Sequence, residues 1–355
     1  MSVSRPLARP FALLLGASLP ILVLISASVG DTYEPPVRVL RAAMGAAGLA
    51  QPLGEPDQTI LMLRLWRALT AAGVGAALAF SGALLQGLFR NPLAAPSLIG
   101  VTGGASLGAT VAILVLGGYG AGVVAQSGLA LGALLVPVAA FVGALATVAL
   151  VGILAAPRGR LSTATLLLFG IAVNMCVAGI FAAIQSVVLR DWEVSRAIMA
   201  WTFGTLDDRT GMHAATIWIA LAASAAAIPF VSLELDLFQG GEDDAKSLGV
   251  AVGRTKMVAL VAATLAAAAA TAVAGQIAFI GLMVPHAVRL IASPRHRVLL
   301  PLCLVAGAVF LLGADAGQRA VFGEGRLQPG VLMALLGGPF FVVLLVKKRR
   351  EVGTW

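Results

Sequence analysis

The chain has 355 residues, of which 59% are hydrophobic and 11% charged, and its mean hydropathy is +0.98; soluble domains carry charge on roughly a quarter of their residues. This composition excludes a soluble globular domain and implies a polytopic membrane protein. The formal net charge of +8 does not imply nucleic acid, because the basic residues are scattered among short connections and the ends of apolar runs.

A helix needs about 20 apolar residues to cross a hydrocarbon core of ~30 Å, since lipid offers the backbone no hydrogen-bond partners. Ten runs meet that need: 11–29, 65–89, 97–117, 128–154, 163–188, 213–232, 257–274, 277–293, 299–318 and 329–346. The first follows Arg5 and Arg9 and exceeds the 7–15 residues of a signal-peptide core, so it reads as a retained span. The second carries Gly75, Ala79 and Ala83 on one face and stops at Arg90-Asn91-Pro92, where proline breaks the helix and arginine suits an anionic leaflet. Pro96 can open the third, whose Gly100, Gly104 and Gly108 repeat at four-residue spacing. Such ladders of small residues let helix backbones approach closely in lipid.

"GGYGAG" (117–122) follows a membrane run instead of a strand, so it reads as a short external loop. Cys176 and Cys303 lie inside runs with no paired spacing, which points to packing and not to a disulfide or metal. His286 follows a kinking Pro285 and reads as structural. In "RDWEVSRAIMAWTFGTLDDRT" (190–210), Val194, Ile198 and Trp201 share a helical face, predicting an interfacial helix over 190–206, with Trp192 and Trp201 at the membrane boundary. No phosphate loop, zinc-protease motif or nucleophile elbow occurs, and no metal site is evident.

Ten spans place both termini on one side. With the N-terminus inside, fifteen of the 24 Lys and Arg residues face the cytoplasm, among them Arg158, Arg160, Lys256, Arg289 and the tail "KKRR" (347–350), against nine outside. The positive-inside rule therefore selects N-in, C-in. The longest cytoplasmic connection, 233–256, holds Gly240-Gly241, then Glu242, Asp243 and Asp244, then Lys246 and Gly249. Acids at the start, a base near the end and a glycine stop predict a helix of seven or eight residues. Three adjacent acids place it across the membrane face, open to a partner.

Three stretches in order carry a resemblance: "RLWRALTAAGVGAALAFSGALLQGLFRNPLAAPSLIGVTGGASLGA" (64–109), "GGEDDAKSLGV" (240–250), and "GQIAFIGLMVPHAVRLI" (275–291) followed by "LLGADAGQR" (311–319). Over roughly residues 10–350 the chain resembles the permease subunit of type II ABC importers for cobalamin, ferric siderophores and heme. The resemblance implies one all-α transmembrane permease domain over 1–355, of ten helices, in a bacterial inner membrane. It is not itself an enzyme and binds no cofactor; ATP and Mg belong to two cytoplasmic ATPase subunits. A periplasmic binding protein and a second permease copy, most simply in a homodimer, complete the assembly.

Residue by residue, 240–250 resembles the coupling helix that seats on the ATPase, with Gly241, Glu242, Asp243, Asp244, Lys246, Ser247 and Leu248 as its contacts. Arg64, Arg67 and Arg319 match arginines that meet acids on the binding protein, although Trp66 stands where the family often has proline. Snorkelling is an alternative for Arg64 and Arg67, and an internal i, i+4 pair with Asp315 for Arg319. The fifth span and the short helix after it border the pathway in relatives, which makes Asn174, Met175, Gln185 and Met199 pathway candidates. The preferred ligand is heme, with ferric siderophore and cobalamin as alternatives. The rival of another class is an ion-coupled secondary transporter, which calls for intramembrane carboxylates; Asp315 is the single candidate.

Overall fold

The structure, a computed structural model, describes residues 8–30, 32–118, 132–156 and 162–352, with backbone alone at 8, 132–133 and 347–352. Arg5, Arg158, Arg160, residues 119–122 of the glycine-rich loop and the side chains of the "KKRR" tail lie outside this description. The described residues form fourteen α-helices and no strand. In chain order these are α1 (Ala8–Ser28), α2 (Pro36–Ala46), α3 (Asp57–Leu88), α4 (Val101–Leu116), α5 (Gly132–Ala155), α6 (Thr163–Val188) and α7 (Trp192–Thr202). They continue with α8 (Gly211–Ala225), α9 (Ile228–Leu237), α10 (Glu242–Ser247), α11 (Val252–Ala274), α12 (Ile280–Ile291), α13 (His296–Phe322) and α14 (Pro329–Val352).

Among the described residues, seven helices are long and apolar enough to cross a membrane: α1, α3, α5, α6, α11, α13 and α14. An eighth crossing arises if α8 and α9, bent by 52° at a short break, count as one. The apolar helices α4 and α12 have 16 and 12 residues, and α12 alone is only about 18 Å long. The run at 277–293 thus overstated its helix, because residues 277–279 and 292–293 are non-helical. The third run is entered through a 3-10 turn, Pro96–Ile99, ending at Gly100 with φ +94°. Its proline opening was legible; the left-handed glycine was not.

The helix α3 is central, with 94% of its most apolar stretch buried, and packs on α13, α11, α12, α8 and α1. Small side chains make this possible. A Cβ on Gly75 would collide with the Gly307 carbonyl oxygen, and one on Gly307 with that of Gly75, so α3 and α13 cross backbone to backbone. Gly104 and Gly143 stand in the same relation between α4 and α5. Both ladders read from the sequence are therefore helix–helix contacts.

Two elements depart from expectation. The amphipathic α2 was not among the apolar runs, since only Val39 and Ala42 are buried on it. Trp201 is not displayed at the surface: it is 1% exposed and packs in the core with Val194 and Ile198, whereas Trp192 is 75% exposed. The shared face of Val194, Ile198 and Trp201 is real, and it is turned into the protein.

Candidate functional site

Charged groups gather at the two ends of α3. At its C-terminal end, Phe238–Gly240 forms a 3-10 turn, Gly241 breaks the chain at φ +129°, and α10 begins. At six residues α10 is shorter than expected, and Gly249 closes it at φ +87° with its N–H donating to the Lys246 carbonyl at 2.9 Å. Ala245, fully buried, anchors the helix. Glu242 meets the Nζ of buried Lys256 at 2.7 Å, tying α10 to the first turns of α11. Thr255 Oγ1 donates to Glu234 Oε2 at 2.7 Å and ties α11 to α9.

The opposite side of α10 is open. Asp243, Asp244, Lys246, Ser247 and Leu248 are all exposed. Lys246 donates to Asp243 Oδ1 at 2.9 Å, and this hydrogen bond and charge hold the Asp243 carboxyl below its usual range. A Cβ on Gly241 would lie 3.9 Å from Arg90 Nη1, so the Arg90-Asn91-Pro92 corner adjoins this segment.

At the N-terminal end of α3, Asp315 is fully buried and is the hub of an ion cluster. Arg67 donates to it twice, through Nε at 3.1 Å and Nη2 at 2.8 Å. Arg319 Nε donates at 3.1 Å and Gln318 Nε2 at 3.2 Å. Arg67 also pairs with Asp207 and approaches Glu324 at 3.7 Å. The remaining donors of Arg319 go to the Ser26 carbonyl at 2.9 Å, to Ser26 Oγ at 2.8 Å and to the Val29 carbonyl at the end of α1. Arg64 Nη1 donates to the Thr32 carbonyl at 2.8 Å.

The three arginines expected to meet a partner are thus brought together, but all three are buried: Arg67 and Arg319 are taken up by the chain's own acids and carbonyls, and Arg64 by the Thr32 carbonyl and hydroxyl. The internal pair of Asp315 with Arg319 is present. Arg64, Arg67, Asp207, Asp208, Arg209 and Glu324 line a surface pocket of about 330 Å³. Asp315, held by two guanidinium groups, is not a free intramembrane carboxylate of the kind an ion-coupled carrier uses.

The pathway candidates separate. Gln185 and Met199 line one pocket of about 370 Å³ between α6 and α7. Asn174 instead donates to the Ser97 carbonyl at 2.7 Å, tying α6 to the entry of α4, and Met175 is 71% exposed on an open face. His286 stacks edge-on against Phe340 at 5.9 Å. Among the described residues no group of three His, Cys, Asp or Glu side chains could hold a metal. Sequence reasoning missed Asp207, Glu324 and Lys256. Their signal was available in principle, because a buried arginine or acid must find an opposite charge.

The sequence model of the FecCD transport family matches residues 18–347. The chain belongs to this family. Among its relatives, the cobalamin import system permease of Halobacterium salinarum is 41% identical over 86% of this chain and 78% of its own length. The ferric enterobactin permease of Escherichia coli is 35% identical over 99% and 98%. The hemin permease of Yersinia pestis is 36% identical over 82% and 84%. A solved chain assigned to a metal-chelate type of ABC transporter, in an inward-facing conformation, superposes with a TM-score of 0.77 at 26% identity, covering 96% of this chain and 99% of that one. This FecCD protein is accordingly the multi-pass membrane permease of an ABC importer of the B12, heme and siderophore group; it is not an enzyme, and ATP is hydrolysed on a separate subunit.

Proposed function

We propose that this FecCD permease crosses the cytoplasmic membrane ten times with both termini inside. It works as a homodimer with two ATPases below and a periplasmic binding protein above, importing a bulky metal chelate or tetrapyrrole. The observation that carries the reading is the placement of charge. Arg67 and Arg90 bound the most buried stretch of α3, 23 residues or about 34 Å apart, close to the ~30 Å of a hydrocarbon core. The displayed α10 lies at one end and the arginine-lined pocket at the other.

At the inner end, Asp243, Asp244, Lys246, Ser247 and Leu248 are presented to the ATPase, while Glu242 and Gly241 shape the helix from behind. Movement of α10 passes into α11 through the Glu242–Lys256 pair. At the outer end, Arg64 and the rim of the pocket meet acids of the binding protein, and the Asp315 cluster holds α1, α3 and α13 in register beneath them. Gln185 and Met199, with Met175 on the open face of α6, border the pathway.

Heme, the ligand expected from the sequence, stands level with cobalamin and ferric siderophores, because relatives named for each lie between 35% and 41% identity. The test is ATPase stimulation of the reconstituted complex by a binding protein loaded in turn with heme, cobalamin and a ferric siderophore. The cargo is the one that stimulates hydrolysis and appears inside the vesicle; stimulation by none of them contradicts the proposed class.

A further inference from the structure

The side of the molecule formed by α5 and α11 carries a groove of about 770 Å³. The functional reading above does not use it. Its floor is made by small residues of α5, Ala149 and Gly152, and its walls by Ile153, Met257, Val261 and Thr264. Ile153, Met257 and Val261 are 75%, 50% and 57% exposed. A Cβ built on Gly152 meets no atom within 4 Å, so at that point nothing among the described residues fills the groove.

Two further observations say what fills it. The groove-facing positions of α11 advance by three and four residues, 257, 260/261 and 264/265, and the same phase carried back one turn reaches Arg254. Arg254 is exposed and has no hydrogen-bond or ion-pair partner among the described residues. The apolar part, Met257 to Leu265, is nine residues and spans about 12 Å, close to the ~15 Å of one leaflet's hydrocarbon. An apolar channel of one leaflet's depth with a free cation at its mouth complements an amphiphile with an apolar chain and an anionic head.

We propose that this groove is a site for a phospholipid of the cytoplasmic leaflet, with an acyl chain between α5 and α11 and the phosphate on Arg254. The leaflet rests on the orientation proposed above; the lipid itself does not. The bound chain supplies the dispersion contacts that the small residues of α5 leave unmade and fixes α11, the helix that receives α10.

The test is native mass spectrometry of the purified permease–ATPase complex titrated with 16:0/18:1 phosphatidylglycerol. The wild-type complex is expected to keep one lipid per permease chain. Gly152→Trp, which plugs the groove, abolishes that adduct, whereas Gly179→Trp, at another open position on α6, keeps it. Arg254→Gln weakens phosphatidylglycerol about fivefold and leaves diacylglycerol, which lacks the phosphate, unchanged. If Gly152→Trp does not accumulate, the Arg254→Gln comparison decides alone. Equal lipid retention in wild type and Gly152→Trp overturns the proposal. So does unchanged phosphatidylglycerol affinity in Arg254→Gln, or an intermolecular disulfide through Ile153→Cys, which would show a second copy covering the groove.

Discussion

Asp315 illustrates what one buried charge demands. With its side chain wholly enclosed, it accepts from Arg67, Arg319 and Gln318. Asp315→Asn leaves Arg319 without the carboxylate it donates to and Arg67 with Asp207 and Glu324 alone, and breaking such a buried pair costs about 3–5 kcal/mol. A marked fall in thermal unfolding temperature in detergent is expected, and an unchanged one would show that the cluster is not structural. The same geometry divides the outer arginines. Arg67→Glu is expected to unfold the outer end, while Arg64→Glu loses its hydrogen bonds to Thr32, leaves the Asp315 cluster in place and weakens binding-protein association most strongly at low salt. Equal affinity at low salt would remove Arg64 from docking. At the inner face, the Lys246 hydrogen bond lowers the carboxyl pKa of Asp243. Its contribution is present above the ordinary carboxylate range and is lost as pH falls through the depressed value. Lys246→Met should shift the Asp243 titration upward by carboxyl NMR; no shift would mean the pair does not form in solution.

Among elements, those set by local chemistry were legible in the sequence. The acids, lysine and glycine of 242–249 specify α10, and the four-residue glycine spacing specifies the α4–α5 and α3–α13 crossings. Gly75→Leu, with the Gly307 carbonyl in its way, is expected to prevent α3 and α13 from packing and to remove the folded protein from the membrane. Normal accumulation on a size-exclusion column would contradict that crossing. What was not legible depends on partners distant in the chain. Arg67 and Asp315 are 248 residues apart, and the inward turn of Trp201 is decided by what packs on α7, not by its own periodicity. The amphipathic α2 escaped because a helix of 11 residues with two buried positions gives no long apolar run. The apolar run at 277–293 read as one span because hydropathy counts the non-helical 277–279 and 292–293 as readily as helix.

At the scale of the whole molecule, a core of small residues around α3 holds two charged faces about one membrane thickness apart. The sequence holds no phosphate loop, and the one deeply buried carboxylate among the described residues, Asp315, is held by two arginines. On the function proposed above, force is delivered at α10. In proteoliposomes containing the permease, its ATPase and a loaded binding protein, cargo uptake is expected only with ATP inside the ATPase-facing compartment. Replacement of Asp243 and Asp244 by lysine should abolish uptake while leaving binding-protein docking intact. Uptake by the permease alone, driven by a proton or sodium gradient without ATP, would contradict the account.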